Sequence, residues 1–258
     1  MIIREKHNEL IFIPQHNHGF LSGELAKHWK DEWLAGAARR EELIYAAYEH
    51  DRGWIELDDQ PIWNDRTGTV FSFMDYPLLP KLTYYGKGIE EVAQHSRYAA
   101  LLCSMHFTAL LEPEPHPAIR AFIGKERLRQ AELQEELCRS APHQAEELQF
   151  HLQILQFCDH LSLYVCLNEP GVDKENEHPW YRSGLIGSDR FHFAAGKPVM
   201  ASWENEQTVA VHVFPFHEPF KTNLRYKSVS RDEIKAQGVA QAYANKAFEE
   251  RSITFVSK

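Results

Sequence analysis

Residues 40–54 read REELIYAAYEHDRGW. Leu43, Ala47 and His50 recur at the spacing of one helical face, and Asp51 follows at once. The stretch predicts an amphipathic helix that ends on a His-Asp pair turned toward the core. Three further segments repeat the pattern. His18, Leu21, Ser22, Leu25 and Trp29 share a face, as do Ala99, Cys103, His106 and Leu110, and again Leu152, Leu155, Asp159, Leu163 and Cys166. Helices are therefore expected at roughly 18–34, 37–50, 89–112 and 117–167, the last broken near Ser140-Ala141-Pro142.

Ionisable groups on such faces need an explanation. An unpaired buried carboxylate costs on the order of several kcal/mol in lost solvation, and Asp159 has no Lys or Arg on its own face. Taken singly, each histidine is more often a hydrogen-bonded core residue than a ligand, and Asp159 alone could pair with a distant arginine. Four such residues on the inward faces of four helices favour a shared divalent transition metal. Imidazole and carboxylate donors suit Fe, Mn, Zn, Ni or Co, as one or two ions.

The ends of the chain differ in texture. Residues 1–5 and 9–14 alternate around His7-Asn8 and predict a hairpin. Gly53 to Lys87 is rich in Pro, Gly, Asp and aromatics, and reads as a long ordered loop. Beyond Glu169-Pro170-Gly171, strands are expected at 198–203, 207–214, 221–228 and 252–256, with a helix at 231–248 before the last. The expected fold is α+β in one domain, 1–258. Its core, 18–168, is helical and metal-binding, and segments 1–17 and 171–258 add a small antiparallel sheet.

Composition limits the functions. A chain that is 43% hydrophobic and 25% charged suits a soluble globular protein, and its apolar runs fall far short of the ~20 residues of a membrane span. A net charge of −9 argues against nucleic-acid binding. The N-terminus lacks the apolar core of a secretory signal, and the four cysteines stand singly without a CxxC. A cytoplasmic location with reduced thiols and a small-molecule substrate is the expectation.

The ordered set His18 … His50-Asp51 … Asp159 resembles the H…HD…D signature of the HD-domain superfamily of metal-dependent phosphohydrolases. The resemblance implies ligands drawn from separate helices of an all-α core, with Asp51 as the bridging residue if two metals are held. More narrowly, QHNHGFLSGELAKHW (15–29), YEHDRGW (48–54), LLCSMH (101–106), FCDHLSLYVCLN (157–168) and PFHEPF (215–220) look like blocks of an uncharacterised bacterial family. His16 competes with His18 for the first ligand position. His18 is preferred because it opens the amphipathic stretch.

A branch of the superfamily adds two histidines and a second metal, and His95 and His106 are the candidates here. Eleven residues of unbroken helix rise roughly 16 Å, too far for both to meet one centre, so His106 is assigned to it and His95 to the surface or its surroundings. The implied activity is hydrolysis of a small phosphate ester or nucleotide, with His18, His50, Asp51, Asp159 and His106 at the metal and Asp51 and His106 catalytic. The alternatives are a mixed-valent di-iron oxygenase and a non-catalytic metal-containing binding protein. Arg52 and Arg97 are the basic residues offered to a substrate anion. Trp54 and Asp59 are offered as pocket wall, Asp58 is read as a turn former, and Trp63 accompanies them. The aromatic stretch HVFPFHEPF, with His212 and His217, is expected to pack the sheet edge against the helices.

Overall fold

The computed structural model describes residues 1–137 and 144–258. In chain order, β1 (Ile2–Lys6) and β2 (Glu9–Ile13) precede α1 (Gln15–Lys27), α2 (Arg40–Glu49) and α3 (Ile55–Asp59). Then come β3 (Trp63–Asn64), β4 (Thr69–Val70), α4 (Leu78–Ala93), α5 (Arg97–Leu111), α6 (Pro117–Leu137) and α7 (Gln144–Leu167). The chain closes with β5 (Ala201–Asn205), β6 (Thr208–Val211), β7 (Phe220–Ser230), α8 (Arg231–Gln237), α9 (Val239–Asn245) and β8 (Glu249–Ser257).

The fold is α+β and mainly helical, but its sheet is larger than expected. Six strands lie in the order β1-β2-β7-β8-β6-β5. His7, at φ 52, turns the first hairpin, which pairs Ile2 with Ile13. Strand β2 then pairs with β7, so both ends of the chain meet in one sheet. Nor is the sheet wholly antiparallel: β6 and β8 run parallel, Val209 opposite Phe255. A parallel pair needs a long crossover, and β7, α8 and α9 supply it. Along β7, Phe220, Thr222 and Leu224 are buried while Lys221, Asn223 and Arg225 are exposed, the alternation of a strand with one face on the core.

Two helical expectations change. The stretch 53–87 is not a loop: it contains α3, a two-stranded ribbon and the first half of α4. Pro80 falls in the first turn of α4, where a missing N–H breaks no helical bond, and Leu82, Tyr85, Ile89 and Val92 form its buried face. The expected 89–112 helix is two helices. Ser96 caps α5 by accepting the Ala99 N–H at 3.1 Å, which starts a new axis. The break expected near Ser140-Ala141-Pro142, and Cys138, lie outside the described residues. Cys103, Cys158 and Cys166 are buried free thiols.

Helix α1 ends at Lys27, short of 34, and Trp29 continues into the core as a bridge to Phe216. Phe214 and Phe216 are buried, so this stretch does join sheet to helices, while His212 and His217 are exposed. Helix α1 packs on both α2 and α7, and α5 packs on both of these in turn. The approach of α1 to α2 depends on glycine. A Cβ on Gly19 would lie 2.8 Å from the Tyr48 carbonyl oxygen, and one on Gly23 2.2 Å from the Tyr48 ring. His18 lies in that close seam. Among the described residues no helix is long and apolar enough to cross a membrane.

Candidate metal centre

The four helices α1, α2, α5 and α7 bring His18, the His50-Asp51 pair, His106 and Asp159 together, all buried. His18 Nε2 lies 2.9 Å from Asp159 Oδ1 and 3.3 Å from His50 Nε2. His50 Nε2 is 3.4 Å from the same Asp159 oxygen, and Asp51 Oδ2 is 3.6 Å from both imidazole Nε2 atoms. His106 approaches from the far side, its Nε2 3.7 Å from Asp159 Oδ2.

The outer nitrogens fix the tautomers. His50 Nδ1 is 2.9 Å from the Ala47 carbonyl, which only accepts, so Nδ1 carries a proton. Ser162 gives its hydroxyl proton to the Asp159 carbonyl at 2.8 Å. Its oxygen therefore accepts from Ser22 and from His18 Nδ1, each at 2.7 Å. Without a proton on Nε2, both imidazoles would turn a lone pair toward Asp159 Oδ1; in the metal-free chain the proton that His50 keeps fills that place. Three acceptors facing one another at 2.9–3.4 Å require a cation or a shared proton between them. Donors about 2.1 Å from an ion lie roughly 3.0 Å apart in an octahedral shell and roughly 3.4 Å apart in a tetrahedral one. The residues present fit a divalent transition metal. Their outer hydrogen bonds, imidazole N–H to carbonyl or hydroxyl, are those that orient metal-bound histidines.

Protonation follows the same logic. Burial disfavours a charged His50, but the Asp51 and Asp159 carboxylates outweigh it and hold the imidazole up at about 9. Burial alone would raise Asp159, yet the hydrogen bonds from His18 and His50 bring its carboxyl well below the usual range. Asp51 goes up, because burial there exceeds the pull of His50 and His18. His106, desolvated and only partly offset by Asp159, falls to about 4 and is neutral at pH 7.

A second group, His50, His106 and Asp159, also lies within ligand reach. An imidazole Nε2 has one lone pair, so His50 can serve only one ion. One ion is accordingly the simpler occupancy, and His106 with Asp159 would face a water or help to hold a second ion.

The other expected residues are placed elsewhere. His16 faces a cavity of about 430 Å³ with Phe20, Glu24 and Arg225. Positions 16, 20 and 24 lie on the side of α1 away from His18. His95 is exposed in the turn after α4. Arg52 pairs with Glu49 and Glu91, and Arg97 with Glu136. Trp54 is buried against Tyr76 and Tyr85, Asp59 is exposed, and Trp63 lies on the two-stranded ribbon. Trp54 and Trp63 pack into different hydrophobic clusters.

Asp58 is more than a turn former. It is buried, takes the Met1 amino group on one oxygen and the Gln15 N–H on the other at 2.7 Å. Gln15 Nε2 in turn donates to Asp51 Oδ2 at 3.0 Å. Asp58 and Gln15 thus orient Asp51 from behind, and Ser162 does the same for His18. Ser162 could have been found as the residue three positions after Asp159; Gln15, at a strand–helix junction, has no periodic signal.

A family model described as "Protein of unknown function (DUF3891)" matches residues 1–231, and the chain belongs to that family. No curated protein and no solved structure matches the chain.

Proposed function

We propose that this chain is a metal-dependent hydrolase of a small phosphate ester or nucleotide, with an HD-like centre of His18, His50, Asp51 and Asp159 and with His106 beside it. The observation that carries the reading is the convergence of His18 Nε2 and His50 Nε2 on Asp159 Oδ1, at 2.9 and 3.4 Å, with both Nδ1 atoms engaged by Ser162 and the Ala47 carbonyl. One divalent ion among Fe, Mn, Zn, Ni or Co fits there, with a second possible on the His106 side. When bound, it would lower the pKa of a water and polarise a phosphoryl oxygen.

The chain's own groups do the rest. Asp51, its carboxyl raised by burial and steadied by Gln15, is the acceptor for a water proton. His106 is neutral and its Nε2 faces the cluster, 3.7 Å from Asp159 Oδ2, where it can hydrogen-bond a water or a phosphoryl oxygen. The side chains of Asp159 and His106 keep 11% and 7% exposure, and that open side supports chemistry over a closed structural site. The di-iron oxygenase reading would need His50 to serve two ions or another donor to replace it.

Metal analysis by mass spectrometry, on protein purified without added metal, tests the reading. We expect about one ion per chain, and near-complete loss in Asp51→Ala with His95→Ala unchanged. Unchanged metal content in Asp51→Ala would overturn it. A phosphatase screen on the loaded protein then separates hydrolase from binding protein.

A further inference from the structure

Beside the proposed centre lies a second feature. A cavity of about 180 Å³ opens between α7 and the segment 186–191, with Ala109 of α5 on its rim. Its polar lining is Gln153, Gln156 and His160 of α7, the exposed Arg190, and Ser188, whose hydroxyl is spent on the Leu185 carbonyl and the Val199 N–H. Positions 153, 156 and 160 form one stripe of the helix, next to the stripe that carries Asp159. Ala109 is one turn beyond His106 on α5. The cavity is therefore built on the two helices that hold His106 and Asp159, and His160 is within electrostatic reach of both.

The other four polar groups are unspent. Among the described residues no hydrogen bond or ion pair joins the side chains of Gln153, Gln156, His160 or Arg190 to another group, and the His160 Nδ1 is buried without a partner. The contrast is with Arg52, Arg97 and Arg129, each tied to a glutamate. No Asp or Glu lines the cavity. A guanidinium, two amides and an imidazole around a carboxylate-free cavity offer donors to an anion, and a guanidinium matches phosphate oxygens two at a time. The floor is Phe157 and Phe191, both buried and apolar, so carbon can follow the charged group inward.

We propose that this cavity is the anion pocket of the site, in which Arg190, assisted by Gln153 and Gln156, holds the phosphate of a small phosphate ester. The assignment of the anion as phosphate rests on the hydrolase reading above. The volume narrows the substrate class. About 180 Å³ is little more than the ~150 Å³ cavity that encloses benzene, and it is below the ~300–1,000 Å³ of sites for larger ligands. It accepts a phosphate with a few carbons and leaves no room for a whole nucleotide inside.

The test is calorimetric titration of inorganic phosphate into the protein as purified, with metal content measured on each preparation. We expect Arg190→Gln to weaken phosphate about tenfold or more, and Gln156→Leu by a smaller factor, with metal content and melting temperature unchanged. Arg120→Gln, an exposed arginine away from the cavity, should bind as the parent does. Parent-like affinity in Arg190→Gln overturns the pocket, as does absence of binding to the parent at phosphate concentrations on the order of 10 mM. The two readings fail separately. A metal-loaded protein with phosphate binding indifferent to Arg190 loses the pocket and keeps the centre. A protein that holds no metal yet needs Arg190 for phosphate keeps the pocket and loses the centre.

Discussion

Raising the pH should destabilise the metal-free protein and leave the metal-loaded protein little changed, because His50 is the group that proton and ion compete for. In the metal-free chain the imidazole is held at about 9 by Asp51 and Asp159, against burial, whereas in the unfolded chain it titrates near 6.5. Its contribution to stability is therefore complete below about pH 6.5 and is lost as the pH rises through about 9. An ion, by contrast, needs the neutral imidazole. Below about pH 9 each unit of pH strengthens binding about tenfold, or about 1.4 kcal/mol, which totals about 3 kcal/mol from pH 6.5 upward. His106, at about 4, and Asp159, lower still than an ordinary carboxyl, titrate below this window. Urea unfolding at pH 6.5, 7.5, 8.5 and 9.5 would read the effect, with free Zn²⁺ either held constant by a chelator buffer or removed. The stabilisation conferred by Zn²⁺ should grow across the series and level off above about pH 9, a shift on the order of 1 M in urea midpoint. A stabilisation independent of pH, or one that shrinks as pH rises, would refute the placement of His50 at the centre.

Other changes probe the supports of the cluster. Ser162→Ala leaves His18 Nδ1 and Ser22 without their shared acceptor. Metal affinity should fall about 10- to 100-fold in chelator competition, as for other lost partners of a ligating histidine; an unchanged affinity would mean the hydroxyl does not set the His18 tautomer. Gly19→Ala would ordinarily favour a helix by about 1 kcal/mol. Here the added carbon meets the Tyr48 carbonyl at 2.8 Å, so the variant should instead lose about 1–3 kcal/mol in urea unfolding and bind metal more weakly, as α1 is pushed off α2. A stabilised variant would show that the seam can open without cost.

The sequence exposes the cluster residues for a physical reason. Titratable groups stand out against an apolar periodic face, and His18, His50, His106 and Asp159 each interrupt one. What it hides is whatever depends on partners distant in sequence. Helix α4 reads as a loop because LLPKLTYYGKG carries a proline and two glycines, and only its packing makes Leu82, Tyr85 and Ile89 a face. The parallel pairing of β6 with β8 is equally silent, since strand alternation does not encode direction. Gln15 and Asp58 illustrate the limit most sharply. Neither falls on a periodic stripe, yet a two-bond relay runs from Asp58 through Gln15 to Asp51. Such residues act by closing hydrogen bonds that burial would otherwise leave open, and a buried Asp51 carboxylate facing Asp159 needs that help most. The same accounting bears on Arg190. Among the described residues no carboxylate pairs with it, and what sets it apart from other such arginines is its place on a cavity whose amides and imidazole are also unpartnered.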